Sequence, residues 1–266
     1  MKTKAVVSAL LFFEAAVAQL CGIEVTQFTA SAHAYPVMRD LDGKELGDGE
    51  FTQEISDHLL RIRISYHLGQ GHTIEEKAAF VQDSVLTQKE WSWQERRDGD
   101  LEREYKVDFD AGKATSRKRE GDGLEERSDE VKIEPGTTFA GFGIVLALQN
   151  LRDRLVKGEA VELQAVGFTP GPRVVSVKLS YVGLDRMRMS SRVLRGEHFV
   201  VHPEIPWIAK LFLKVPDTVV WLTPPPSGFL RWQGPLAEPG DSVVRVDLSS
   251  GGESGPAESV GKESEE

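Results

Sequence analysis

The sequence predicts a mainly β protein: a large, curved antiparallel sheet, an open half-barrel, wrapped around one amphipathic helix at about 141–157. Three observations predict it. Apolar and polar residues alternate over many short runs, turn-forming residues separate those runs, and one stretch switches to helical periodicity. A chain of 266 residues with 40% apolar and 28% charged side chains has room for a sizeable core.

The chain divides into four stretches. Lys2 and Lys4, an apolar run over 5–13 ending at Glu14, and Ala16-Val17-Ala18 have the layout of a signal peptide, residues 1–18. Its removal would leave an exported protein, periplasmic or secreted. The run falls short of the roughly 20 residues that a membrane span needs. An N-terminal extension at 19–50 precedes a single half-barrel domain at 51–248. Residues 249–266, rich in Gly, Ser and Glu, lack the apolar surface that offsets ordering and read as a disordered acidic tail.

Within the domain, Leu60, Ile62, Ile64 and Tyr66 alternate with Arg61, Arg63 and Ser65, the period of a strand with one buried face. Leu101, Tyr105, Val107 and Phe109 share a face with Arg103, while Glu102, Glu104, Lys106 and Asp108 make a charged face toward water. Asp110-Ala111-Gly112 returns that strand into 113–120, and Pro170-Gly171 joins 160–168 to 173–182. Arg195-Gly196-Glu197 reads as a turn between strands at 187–194 and 198–202. Further strands at 218–223, 229–233 and 243–248 bring the total to about ten. The span 94–134, dense in both acids and bases, reads as solvated hairpins with balanced charge.

The helix is the exception. Phe142, Val145, Leu146, Leu148, Leu151 and Leu155 recur at helical spacing, with Thr137 or Thr138 as candidate caps. Arg152, Arg154 and Lys157 complement the dipole at its end, and Gly158 is a natural stop. A lone helix in a meander lies most economically in the concavity of a curved sheet.

The string Thr137-Thr138-Phe139-Ala140-Gly141-Phe142-Gly143, then Asn150-Leu151-Arg152 and Gly158-Glu159, resembles an exported bacterial family of unknown function. So do Phe168-Thr169-Pro170-Gly171-Pro172-Arg173, His202-Pro203-Glu204-Ile205-Pro206 and the run from Trp221 to Arg231. The resemblance spans roughly 50–248. It implies a half-barrel wrapped on one helix, similar to the periplasmic lipoprotein carriers (LolA/LolB-like), and it implies no catalytic residues. Function argued from such likeness is associational.

Several function classes are disfavoured. The net charge of −10 argues against nucleic acid as a partner. A single cysteine excludes a disulfide framework and a cysteine-based zinc site. That residue, Cys21, follows Leu20, where a lipid-modified cysteine wants a small neighbour, so it reads as a free or intermolecularly paired thiol. Of the six histidines, His198 and His202 fall about 13 Å apart on a strand, too far to share a metal; His33, His58, His67 and His72 read as surface or hydrogen-bonded. No Gly-x-Ser-x-Gly elbow occurs, and Glu102 and Glu104 lie on the solvent face, where carboxylates make poor general acids. Gly141 and Gly143 read as small residues for helix–sheet packing, not a phosphate loop. No metal and no cofactor is expected.

An outer-membrane barrel does not fit, because dense charge and proline clusters interrupt the lipid-facing band it needs. What stands out is aromatic: Trp207, Phe212, Trp221, Phe229 and Trp232 fall within 26 residues. They are either ordinary core or an apolar ligand site at the mouth of the half-barrel, suited to an acyl chain. Trp91 and Trp93 share a face, as core or as a stacking platform for sugars. The expected function is non-catalytic binding of an apolar ligand or envelope partner, a lipid or acylated component. An envelope hydrolase, a carbohydrate-active enzyme with a dispersed site and a structural scaffold are the alternatives.

Overall fold

The computed structural model describes residues 22–121, 123–169, 171–189, 192–204 and 215–249. The signal-peptide and tail expectations, Cys21, Trp207 and Phe212 lie outside them. Fifteen strands and one helix occur among the described residues. The first group is β1 (Ala32–Arg39), β2 (Glu45–Ser56), β3 (Leu59–His67), β4 (His72–Gln82), β5 (Leu86–Arg97), β6 (Asp100–Asp108), β7 (Lys113–Glu120) and β8 (Gly123–Glu130). Then follow β9 (Thr138–Phe139), α1 (Gly143–Val156), β10 (Val161–Phe168), β11 (Pro172–Met189), β12 (Arg192–Pro203), β13 (Thr218–Leu222), β14 (Phe229–Pro235) and β15 (Val243–Ser249).

All fifteen strands form one sheet in the order β8-β7-β6-β5-β4-β3-β2-β1-β15-β14-β13-β12-β11-β10-β9. The chain walks outward from β1 to β8, crosses over, and returns from β10 until β15 pairs with β1. Every neighbouring pair is antiparallel except β9 and β10, which run parallel with α1 as the crossover between them. The sheet does not close: β8 and β9 are its edges. Edge β8 carries Glu125, Glu126, Arg127, Asp129 and Glu130, charges that deter further strand pairing.

The sheet rolls until its two ends approach, with β11 lying against β7 and β8. Opposite walls meet through aromatic side chains. Phe168 of β10 stacks on Tyr105 of β6 and Trp91 of β5 at 4.8 and 5.7 Å. Phe142, at the head of α1, touches Phe51 of β2 and Phe229 of β14 at 5.3 and 5.4 Å. Between the walls lies α1, whose residues 145–151 are buried without a break. A helix buried on every side is core, not surface.

The helix begins in a tight approach to the sheet. Gly141 has φ +52, and a Cβ there would stand 2.1 Å from both Glu76 Oε1 and Trp91 Nε1. At Gly143 a Cβ would meet Gln88 Oε1 at 2.5 Å. Both glycines are packing devices, as the sequence reading has it. The capping expectation fails: Phe142 is the N-cap and makes no side-chain cap bond. Thr137 and Thr138 instead bond back to Glu134, closing the preceding turn. The helix stops at Gly158, φ +89, as expected.

Further expectations are corrected. The strand count is fifteen rather than about ten, and β1 and the first half of β2 fall within 19–50. The turn at 195–197 does not exist, because β12 runs straight through it. Gly196 is a glycine for space: a Cβ there would meet Met187 Sδ at 2.8 Å and Trp221 Cδ1 at 3.3 Å. Glu104, expected in water, is covered by Lys106 and Arg117 at 2.8 and 3.4 Å.

Gly141→Ala is expected to lower stability by about 3 kcal/mol, through left-handed strain plus displaced contacts of Glu76. For a chain of this size that is a melting temperature lower by roughly 6–12 °C. Gly69→Ala is the control: φ is +80 there with open space around the added Cβ. It should cost only about 1 kcal/mol, so the difference between the two thermal melts isolates the packing part.

Candidate functional site

Three places gather chemistry-bearing side chains. The first receives the helix. Glu76 Oε1 on β4 accepts from Phe142 N and Trp91 Nε1 at 2.7 and 2.8 Å. Gln88 on β5 accepts from Ala140 N at 2.8 Å and donates to Ala140 O at 3.2 Å. Burial pushes the Glu76 carboxyl above its ordinary value, although the two donors pull against it. Burial, and secondarily the Glu76 charge, also raises the Tyr66 phenol. This arrangement satisfies backbone groups at the start of a buried helix.

The second is a half-buried ionic strap. In the 236–241 turn between β14 and β15, Asp241 Oδ2 accepts from Ala237 N and Glu238 N at 3.1 and 3.0 Å. From the opposite wall Arg103 reaches both oxygens of Asp241 at 3.0 and 2.8 Å, and Glu95 Oε2 at 2.6 Å. Glu95 in turn holds His72 Nε2 at 2.7 Å. Glu238 accepts from Tyr105 and pairs with Lys118. Burial opposes the Arg103 charge, but Glu95 and Asp241 outweigh it and hold the guanidinium above its usual range. Burial, then Glu238, raises the Tyr105 phenol. Arg103, the exception in an apolar face by sequence, is thus the pin between two walls.

The third is an open pocket of about 650 Å³ where the chain first crosses the end of the roll. Ile23 and Val25 bond to the 84–86 stretch and Gly136 at 2.9–3.1 Å. Thr26 N and Gln27 N donate to Asn150 Oδ1 at 2.9 and 3.0 Å, tying this segment to α1. The pocket is lined by Val25, Phe28 and Val85 with Glu24, His58 and Asp83 among its polar members. His58 and Asp83 pair at 3.2 Å, and Phe28 is 65% exposed.

Of the sequence-predicted aromatics, the three among the described residues do not converge. Phe229 and Trp232 pack against the main core, whereas Trp221 packs with Met187, Met189, Leu194 and Leu230 in a separate cluster on the other sheet face. Trp221 Nε1 donates to Asp185 Oδ2 at 2.8 Å, and His198 Nδ1 meets the same oxygen at 3.0 Å. Trp91 and Trp93 are core, 8% and 6% exposed. His33 pairs with Glu50 at 2.8 Å and His202 with Asp217 at 2.6 Å. Among the described residues no group of three or more His, Cys, Asp or Glu is placed to hold a metal. Sequence reasoning missed the pocket and the strap. Their members are far apart in the chain and carry no motif; the isolated Arg103 was the one available signal.

No family model matches this chain, and no curated protein matches it. Among solved structures it is similar to a β-barrel-like protein of a domain of unknown function, DUF1849, from Brucella abortus. The identity is 11% and the TM-score 0.47, covering 83% of this chain and 96% of that one. No helix among the described residues is long and apolar enough to cross a membrane.

Two outcomes test the buried groups. An acid whose pKa is higher folded than unfolded binds more protons when folded, so its contribution to stability falls as pH rises through that window. The Glu76 contribution should therefore decline above the ordinary value of 4.5. Glu76→Gln keeps an acceptor without the charge, so its stability relative to wild type should increase from about pH 5 to pH 8 in urea unfolding. Arg103→Ala leaves Glu95 and Asp241 without their shared cation. Allowing for partial exposure, it should cost about 1–3 kcal/mol, read by the same unfolding curves.

Proposed function

We propose that this chain is an exported, non-catalytic binding protein of the cell envelope, and that its ligand is the apolar part of a lipid or acylated component. The observation that carries this reading is the open 650 Å³ pocket with Phe28 at its wall. Its size falls within the range of small-ligand sites, roughly 300–1,000 Å³, and Val25, Phe28 and Val85 give it an apolar wall beside Glu24, His58, Asp83 and Ser84. The signal-like residues 1–18 support export. Catalysis is disfavoured because the buried acids are each committed to structural partners: Glu76 to the helix start, Glu95 to Arg103, Glu104 to Lys106, and Glu197 to Arg152.

One observation favours a second reading, a structural scaffold: α1 fills the interior where an acyl carrier would hold cargo. Native mass spectrometry of protein purified from its own envelope fraction separates the two. Ligand binding predicts a lipid-mass adduct that Phe28→Ser loses while its thermal melt is unchanged. The scaffold reading predicts the bare mass for both.

A further inference from the structure

We propose that the exposed inner face of the β11–β12 hairpin is a docking surface for an anionic lipid bilayer. The inference is independent of the Phe28 pocket, which lies elsewhere on the molecule.

The face is created by a bulge. Tyr181 pairs with Phe199 and Gly183 with His198, so Val182 is the extra residue and the alternation of β11 inverts beyond it. Past that point Asp185, Met187 and Met189 turn to the outer face. Leu184, Arg186 and Arg188 turn to the inner face, together with Val193 and Arg195 of β12. Next to them on that face is Glu197, where Arg152 of α1 closes the core. Beyond it all five side chains are exposed, Leu184 at 48% and Val193 at 61%, with Val182 at 60% beside them.

The charges on this face are unbalanced. Arg186 and Arg195 are direct cross-strand partners. Residues so placed have Cβ atoms about 5 Å apart, and like charges directly opposite are destabilising. None of Arg186, Arg188 and Arg195 forms an ion pair among the described residues. The exposed part of the face holds no carboxylate, in a chain whose net charge is −10. An external anion relieves that repulsion. The hairpin is braced from behind, since Met187, Met189 and Leu194 pack on Trp221 and Leu230.

Arginines alone would suit any polyanion. Aliphatic side chains interleaved with them have no use against a phosphodiester backbone, but both find a place in the headgroup zone of a bilayer. Remote acids of the chain do not prevent approach. At physiological ionic strength the screening length is about 8 Å, so the local patch governs.

The test uses the full chain with Cys21→Ser and Val193→Cys, labelled with the environment-sensitive fluorophore NBD. Vesicles are phosphatidylcholine alone or with about one-third phosphatidylglycerol. The expected result is a blue shift with the anionic vesicles only, lost in about 1 M salt. Arg186→Gln/Arg188→Gln/Arg195→Gln should weaken the response by well over tenfold, at roughly fivefold per arginine. Arg188→Gln alone supplies the single step, should the triple variant melt early. A label at Leu41→Cys, exposed in the β1–β2 turn, should not shift, which separates this face from binding through residues 5–13. An equal shift with neutral vesicles, an equal shift at residue 41, or no loss in the arginine variants overturns the proposal. So does a larger response to a single-stranded oligonucleotide at the same salt, which would assign the face to nucleic acid.

Discussion

A sheet that rolls without closing has to be held in its curl by side chains, and here that task falls to a helix whose central turns are buried on all sides. No ladder joins β8 to β9, so the backbone alone does not fix the curvature. Residues 145–151 of α1 are buried in succession, and burial of Val145, Leu146, Ala147, Leu148 and Leu151 against the walls is the non-directional force holding them together. Phe142 bridges β2 and β14, and Phe168 is stacked on β5 and β6, so the walls also touch directly.

Burying a helix creates a polar problem as well as an apolar gain. Unpaired backbone groups at a helix start are costly away from water. Glu76 and Gln88 meet that need with side-chain oxygens, and Gly141 and Gly143 let the backbone come close enough. At the other side of the helix, Asn150 accepts from Thr26 and Gln27, and Arg152 engages Glu197. Hydrogen bonding to Glu197 keeps Arg152 well above the ordinary arginine range. The raised Glu76 carboxyl is the residual cost of this arrangement, since a charge is held where water is scarce.

What the sequence made legible was local. The alternation at 60–66 and 105–109 is imposed by one buried face, the helical spacing at 141–157 by the contacts along α1, and both survive in the structure. What was illegible depends on contacts between distant residues. Gly196, between Arg195 and Glu197, reads as a turn; its glycine is required because Met187 and Trp221 occupy the space above it. Arg103 breaks an apolar face for the sake of Asp241, 138 residues away. The aromatics at 221–232 are close in sequence and read as core or as a ligand site, but neighbours on a strand face opposite ways. The irregularity between Trp221 and Leu222 leaves Phe229 paired with Leu222, on the face opposite Trp221.

The same parity argument locates function. An interior filled by α1 leaves no reason for a ligand to enter between the walls, and both proposed binding surfaces lie where the regular pattern is interrupted. One is the crossing of the 22–31 segment over the turns at His58 and Asp83, where irregular backbone leaves a concavity with an exposed Phe28. The other is the bulge at Val182, which turns a continuation of the inner face into an exposed basic and aliphatic surface. A regular ladder would have carried Asp185 and Met187 inward and the arginines outward. One inserted residue reverses that. The hairpin thereby presents to its surroundings the face that, elsewhere in the sheet, belongs to the core.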